Sequence, residues 1–304
     1  LTRIIYAIMP LAWLAGLIVC ACVLSYGILQ LSGEFVSLDK VISKATQFLL
    51  IISIFPLKKL LGLSWRSLGF AERNVFFKQV YQGMLLALIT LLPVLMALYI
   101  LHVHVFDDTR LWTAAKFAEK IGLGLLLALL IALFEEILFR GVLLTSLRQK
   151  MGAVAAIGIS SFYYAALHFL KSSSTIAYAD MTPASGFKLM AEAFGNWLNP
   201  AIFSAWLALF VVGVFLAVLR SRIPHSIGLC IGCHCGWVWQ IKLSKDLFNV
   251  NPNADYLYLV SNYDGVVGPL VAGWLAMAIV LFWLISKHYS GMNFSAAAVA
   301  EITH

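Results

Sequence analysis

The 304 residues predict an all-α integral membrane protein, a polytopic bundle of about eight transmembrane helices. Three observations lead there: 62% of the residues are hydrophobic, only 12% are charged, and the apolar residues gather into stretches of membrane-spanning length. A soluble domain carries roughly 25% charged residues, and mean hydropathy here is +0.92. A hydrocarbon core about 30 Å thick needs about 20 apolar residues per helix. The stretches that qualify are roughly 4–30, 41–62, 80–104, 119–145, 152–170, 197–219, 224–242 and 265–288. Strands of an outer-membrane barrel would alternate apolar and polar residues, and 121–134 and 266–285 show no alternation.

Taken in order, the first stretch outruns the apolar region of a secretory signal and reads as an anchor that stays in the membrane. After the second, residues 64–78 mix Trp65, Leu68, Phe70, Phe76 and Phe77 with Arg66, Arg73 and Lys78. That mixture suits an element lying in the headgroup region, or an ordinary loop. The third stretch ends with His102 and His104 beside Asp107 and Asp108, a set able to bind metal but more often incidental at a membrane interface. The longest hydrophilic connection, 171–196, is expected to cap a site. No composition break, repeat or low-complexity tract divides the chain, so residues 1–304 read as one integral membrane domain with a motif core at about 119–242.

Charge argues for orientation rather than for nucleic acid. The net charge is +7, yet the basic residues sit in short loops between spans and form no stripe. Threading the spans puts the N-terminus, the loops near 58–79, 146–151 and 220–223, and the C-terminus on one side. Lys58, Lys59, Arg66, Arg73, Lys78, Arg148, Lys150, Arg220 and Arg222 stand there against Glu72 and Glu301. The opposite side is mixed, so both termini are expected in the cytoplasm. The partners expected are the lipid bilayer and a membrane-associated peptide or protein. Cys20, Cys22, Cys230, Cys233 and Cys235 all fall within apolar stretches, which argues against a disulfide framework.

A charge at the bilayer centre costs about 2.5–3.5 kcal/mol on insertion scales, so intramembrane ionisable groups usually face a cavity and usually serve a function. The fourth stretch holds three: Glu135, Glu136 and Arg140. Glu136 and Arg140 are four apart and share a helix face, whereas Glu135 points about a quarter turn away. A carboxylate in an apolar cavity is suited to general acid or base work. The plainer reading is a structural ion pair near a helix end, with Arg140 reaching for the headgroups. The fifth stretch places Tyr164 and His168 four apart, and the seventh adds His234 among small residues that permit close helix approach. A carboxylate pair with two histidines can hold a divalent metal such as zinc, with Glu135, His168 and His234 as ligands, or a water between acid and base.

Two other chemistries fit parts of the pattern. Cys230-Ile231-Gly232-Cys233-His234 spells a c-type haem attachment motif. Its position in the middle of an apolar stretch, away from any oxidising compartment, argues against it. Intramembrane Glu, Arg and His also mark ion- or proton-coupled transporters, but no paired broken helices or repeat accompany them.

The motifs resemble those of the CAAX protease and bacteriocin-processing (CPBP) family of intramembrane endopeptidases, also called the Abi family, which includes the type II prenyl-protein endopeptidases. Two glutamates, three residues and an arginine stand as Glu135, Glu136 and Arg140. An aromatic four residues before a histidine stands as Tyr164 and His168, and the histidine of a later helix as His234. The resemblance covers about 119–242 and implies a peptidase of the glutamate or metallo type. Glu135 would activate water, and His168 and His234 would bind a metal or stabilise the oxyanion. The family pattern has Asn or Asp four residues after the third-motif histidine, where this chain has Val238. Gln240 or a group elsewhere would then substitute, or the chain is an inactive scaffold on the same fold.

Overall fold

Hydrocarbon offers the backbone no hydrogen-bond partners, so apolar stretches of this length close their amides within themselves as helices. The computed structural model describes residues 2–33 and 36–302, with side chains except those of Thr2, Ser32 and 287–302. The side chain of Glu301, counted in the charge pattern, lies outside the described ones. The helices are α1 (Thr2–Ser32), α2 (Leu38–Leu60), α3 (Arg73–Ile100), α4 (Ala114–Glu136), α5 (Leu144–Arg148), α6 (Ala153–Leu167), α7 (Ser185–Gly195), α8 (Phe203–Arg222), α9 (Ile227–Leu247) and α10 (Pro269–Ile302). A π-helical segment, Ile137–Leu143, joins α4 to α5 without a break. Strands β1 (His104–Phe106) and β2 (Phe248–Val250) form a short antiparallel ribbon with His104 opposite Val250.

Each of the eight apolar stretches contains a helix, and the chain is a helical membrane bundle. Among the described residues, six helices are long and apolar enough to cross a membrane. The two that fall short are α6 and α9. α6 has 15 residues, about 22 Å of rise, against a core of about 30 Å. α9 has 21 residues, but Gln240, Lys242, Lys245 and Asp246 make its last third polar. These two helices are the ones that carry His168 and His234.

Small residues set the packing. A Cβ added at Gly232 would overlap the Val80 carbonyl, and one at Gly236 would overlap Ala87, so the glycines of α9 bring it against the backbone of α3. Gly213 of α8 lies against Ser161 of α6 in the same way. The largest core cluster joins α3, α6, α8, α9 and α10 through residues such as Leu91, Tyr164, Phe215, Leu216, Trp237 and Val271. A second cluster joins α1, α2 and α7 through Leu14, Ile18, Leu38 and Leu189.

The connection 171–196 contributes α7, whose Gly186 sits against Cys22 of α1. Its last residues tie down the end of α6: Asn196 Nδ2 donates to the Phe169 carbonyl and Trp197 Nε1 to the Ala166 carbonyl. These bonds serve carbonyls that a helix end otherwise leaves unpaired. His104 is a structural residue: its Nε2 lies 2.8 Å from the Gly265 carbonyl, and its Nδ1 lies 3.5 Å from Ser244 Oγ. Asp107 accepts from the Thr109 hydroxyl and pairs with Arg110. His102 is exposed and holds a left-handed backbone at φ 55°.

Candidate active site

The two glutamates of α4 stand where its regular turns give way to the wider π turn. Single π turns inside α-helices occur often at functional sites. Glu136 is fully buried, and its Oε1 accepts from Arg140 Nη1 at 3.0 Å and from His234 Nδ1 at 2.8 Å. Arg140 is also buried. Its Nη2 donates to the Gly213 carbonyl at 3.3 Å, and its guanidinium stands 4.3 Å from the centre of the Tyr164 ring. With only 1% of its side chain exposed, Arg140 does not reach for the headgroups.

Glu135 faces elsewhere, as its quarter-turn offset requires. Its Oε2 lies 4.0 Å from His168 Nε2 and 3.9 Å from His234 Nε2. That oxygen is buried and has no protein hydrogen-bond partner. A buried carboxylate oxygen without a partner is costly, and Glu136 Oε2 and Arg140 Nε share that condition.

The histidine tautomers follow from their second nitrogens. His168 Nδ1 lies 2.7 Å from the backbone carbonyl of Tyr164, which can only accept. His234 Nδ1 donates to the Glu136 carboxylate. Each neutral imidazole therefore presents a lone pair at Nε2 toward Glu135. Three acceptors converge, and a single water brings two hydrogens, so one further proton on the cluster would give every contact a hydrogen.

Spacing bears on what the three atoms hold. Ligand atoms on a tetrahedral zinc, with bonds of about 2.0–2.1 Å, stand about 3.3 Å apart. Partners of a tetrahedrally bonded water, at about 2.8 Å each, stand about 4.6 Å apart, and the observed 3.9 and 4.0 Å lie between the two. Among the described residues, no group of three His, Cys, Asp or Glu side chains is arranged to hold a metal ion.

Exposure rises across the site. The side chains of Glu136, Arg140 and His234 are 0%, 1% and 4% exposed, whereas those of His168 and Glu135 are 19% and 31% exposed. One side is therefore closed by protein, and the other opens outward at Glu135 and His168. His168 caps the C-terminus of α6 rather than lying within it. The end of α6 therefore meets Glu135.

Val238 does not join this group; it packs in an apolar cluster with Ala128, Ala132 and Ile231. Gln240 turns toward α3, where its amide donates to the carbonyls of Ala87 and Gly236. Cys230 and Cys233 are fully enclosed in the main core, and the Cys230 thiol points at the Leu216 carbonyl. Sequence reasoning did not find the π turn, the Gly213 carbonyl that receives Arg140, or Tyr263, whose ring centre is 6.3 Å from that of His168. Tyr263 lies in a polar connection with no periodicity and no motif to mark it.

Residues 117–240, the segment that supplies every one of these groups except Tyr263, match the family model described as Rce1-like, type II CAAX prenyl endopeptidase. The match covers 124 of the 304 residues, and over that segment the chain is similar to an endopeptidase family. No curated protein and no solved structure matches the chain.

Proposed function

We propose that this protein is an intramembrane endopeptidase that hydrolyses a peptide bond of a membrane-associated peptide or protein, with Glu135 as general base. The observation that carries the reading is the Glu135 Oε2 atom, without a hydrogen-bond partner and 4.0 and 3.9 Å from the Nε2 atoms of His168 and His234. Glu135 takes a proton from the seated water as its oxygen attacks the scissile carbonyl carbon. The carbonyl oxygen becomes an oxyanion, and the imidazole carrying the cluster's extra proton donates to it. We assign that donor role to His168, which lies at the open side. The C–N bond then breaks, and Glu135 returns its proton to the leaving amine. General base catalysis of this kind contributes about 10²–10⁴-fold in rate.

Glu136 and Arg140 act at one remove. The Glu136 carboxylate fixes the tautomer and direction of His234, and Arg140 compensates its buried charge. In this reading the trio of Glu135, His168 and His234 holds a water. A prenylated, carboxyl-terminal peptide is the substrate class that the family match suggests. The basic loops support an orientation with both termini in the cytoplasm.

The test uses the purified protein in lipid vesicles with a quenched fluorescent prenylated peptide. Glu135→Ala is expected to reduce cleavage at least about 100-fold while the protein remains folded, and wild type is expected to contain no stoichiometric zinc. Cleavage that survives Glu135→Ala defeats the general-base assignment. One bound zinc per chain, lost together with activity in His234→Ala, would make the trio a ligand set instead.

A further inference from the structure

The site so far has a shortage of donors. Ionised Glu135 and the two Nε2 atoms of neutral imidazoles are acceptors, and the Nη atoms of Arg140 are engaged by Glu136 and the Gly213 carbonyl. Peptide hydrolysis develops negative charge on the carbonyl oxygen, and preorganised donors aimed at it are usually the largest catalytic term. A single protonated imidazole is a sparse oxyanion site.

Tyr263 stands on the open side of this group. Its ring meets the His168 ring edge-on with centres 6.3 Å apart, and it packs on Phe169 at 5.3 Å. It remains 43% exposed, so a substrate can touch it. Partial burial, together with the neighbouring carboxylates of Asp264 and Glu135, pushes its phenol up to about 12. At neutral pH it therefore keeps its proton and can donate it in a hydrogen bond.

The segment that holds Tyr263 is built with unusual care for a connection. Asp264 Oδ1 accepts from the amides of Val266 and Val267 at 2.9 and 2.7 Å, and the Ser261 hydroxyl donates to the Val267 carbonyl. The Gly265 carbonyl is held by His104 from the ribbon, and Gly265 itself takes φ +79°, a conformation that side chains disfavour. Gly268 lies directly on the backbone of Val260. Asp264, Ser261, His104 and two glycines thus lock a tight turn whose exposed product is one phenol beside His168. None of these residues falls within the family-matched 117–240.

We infer that Tyr263 is a substrate-contacting residue whose hydroxyl donates a hydrogen bond to the scissile carbonyl oxygen, alongside His168. The inference rests on the hydrolase reading. It supplies from a distant loop a polar group where Val238 offers none.

The experiment compares wild type, Tyr263→Phe, Tyr263→Ala and Glu135→Ala on the prenylated peptide in vesicles, with kcat and KM separated and thermal midpoints recorded. Tyr263→Phe keeps the ring and removes only the donor. It is expected to lower kcat about 10- to 100-fold, with KM within twofold and an unchanged midpoint. Tyr263→Ala is expected to lose as much kcat and also to raise KM, since the wall is gone. Wild-type kcat in Tyr263→Phe overturns the inference while leaving the hydrolase reading intact, whether or not Tyr263→Ala folds. Full cleavage by Glu135→Ala, or an intact peptide after exposure to wild type, overturns the hydrolase reading and this inference with it.

Discussion

The inner and outer halves of the site are built from the same residue types and behave oppositely. On the inner side Glu136, Arg140 and His234 form a closed set in which each charge has a direct partner and almost nothing reaches solvent. On the outer side Glu135 and His168 are more exposed, stand 4.0 Å apart and leave an oxygen unpartnered. Two adjacent glutamates therefore have different surroundings. Glu136 is tied to a guanidinium and an imidazole, whereas Glu135 Oε2 faces two imidazole nitrogens from beyond hydrogen-bond distance.

If that contrast holds, substitutions should separate stability from activity. Arg140→Ala leaves the Glu136 charge buried without compensation and is expected to cost about 3–5 kcal/mol of stability, read as a large fall in the unfolding midpoint in micelles. Glu135→Gln should leave that midpoint nearly unchanged while abolishing cleavage. Equal losses of stability from both would erase the distinction between the halves.

A smaller effect tests what holds the inner half in place. Gly232→Ala adds a methyl against the Val80 carbonyl and should cost about 1–3 kcal/mol through overpacking, displacing His234 from Glu136 and lowering kcat as well. Retained stability with full activity would mean that α3 and α9 are less closely coupled than their glycines imply. The smallest effect lies outside the membrane. Asp107 is held below its ordinary value of 3.8 chiefly by the Thr109 hydroxyl. Its ionised form therefore stabilises the fold above that pH, and the contribution fades as pH falls further. Asp107→Asn should lower the midpoint slightly at pH 7, and the difference should vanish in acid. A deficit independent of pH would assign the effect to packing instead.

Helix spacing made part of this legible in advance. Glu136 and Arg140 meet because they are four apart, and Glu135 points away for the same reason. The small residues around His234 correctly foretold a close helix contact. What spacing cannot give is any contact between distant segments. The bond from His234 to Glu136 spans 98 positions, and the approach of Tyr263 to His168 depends on a loop fold with no repeating pattern. Hydropathy also treated α6 and α9 as ordinary spans. It weighs residues without regard to which face is buried, so it missed that one is short and the other ends in polar residues.

The shortness of α6 sets how far a substrate must travel. If α6 stands upright with Ala153 level with one surface, a rod about 22 Å long in a layer about 30 Å thick stops about 8 Å short of the other, at the His168 end. An extended chain advances about 3.3 Å per residue, so two or three residues suffice to bring a bond from the headgroups to Glu135. A substrate anchored at the interface by its own lipid or by an amphipathic segment would need to dip rather than cross, and no helix of the substrate would have to unwind through the full thickness of the bilayer.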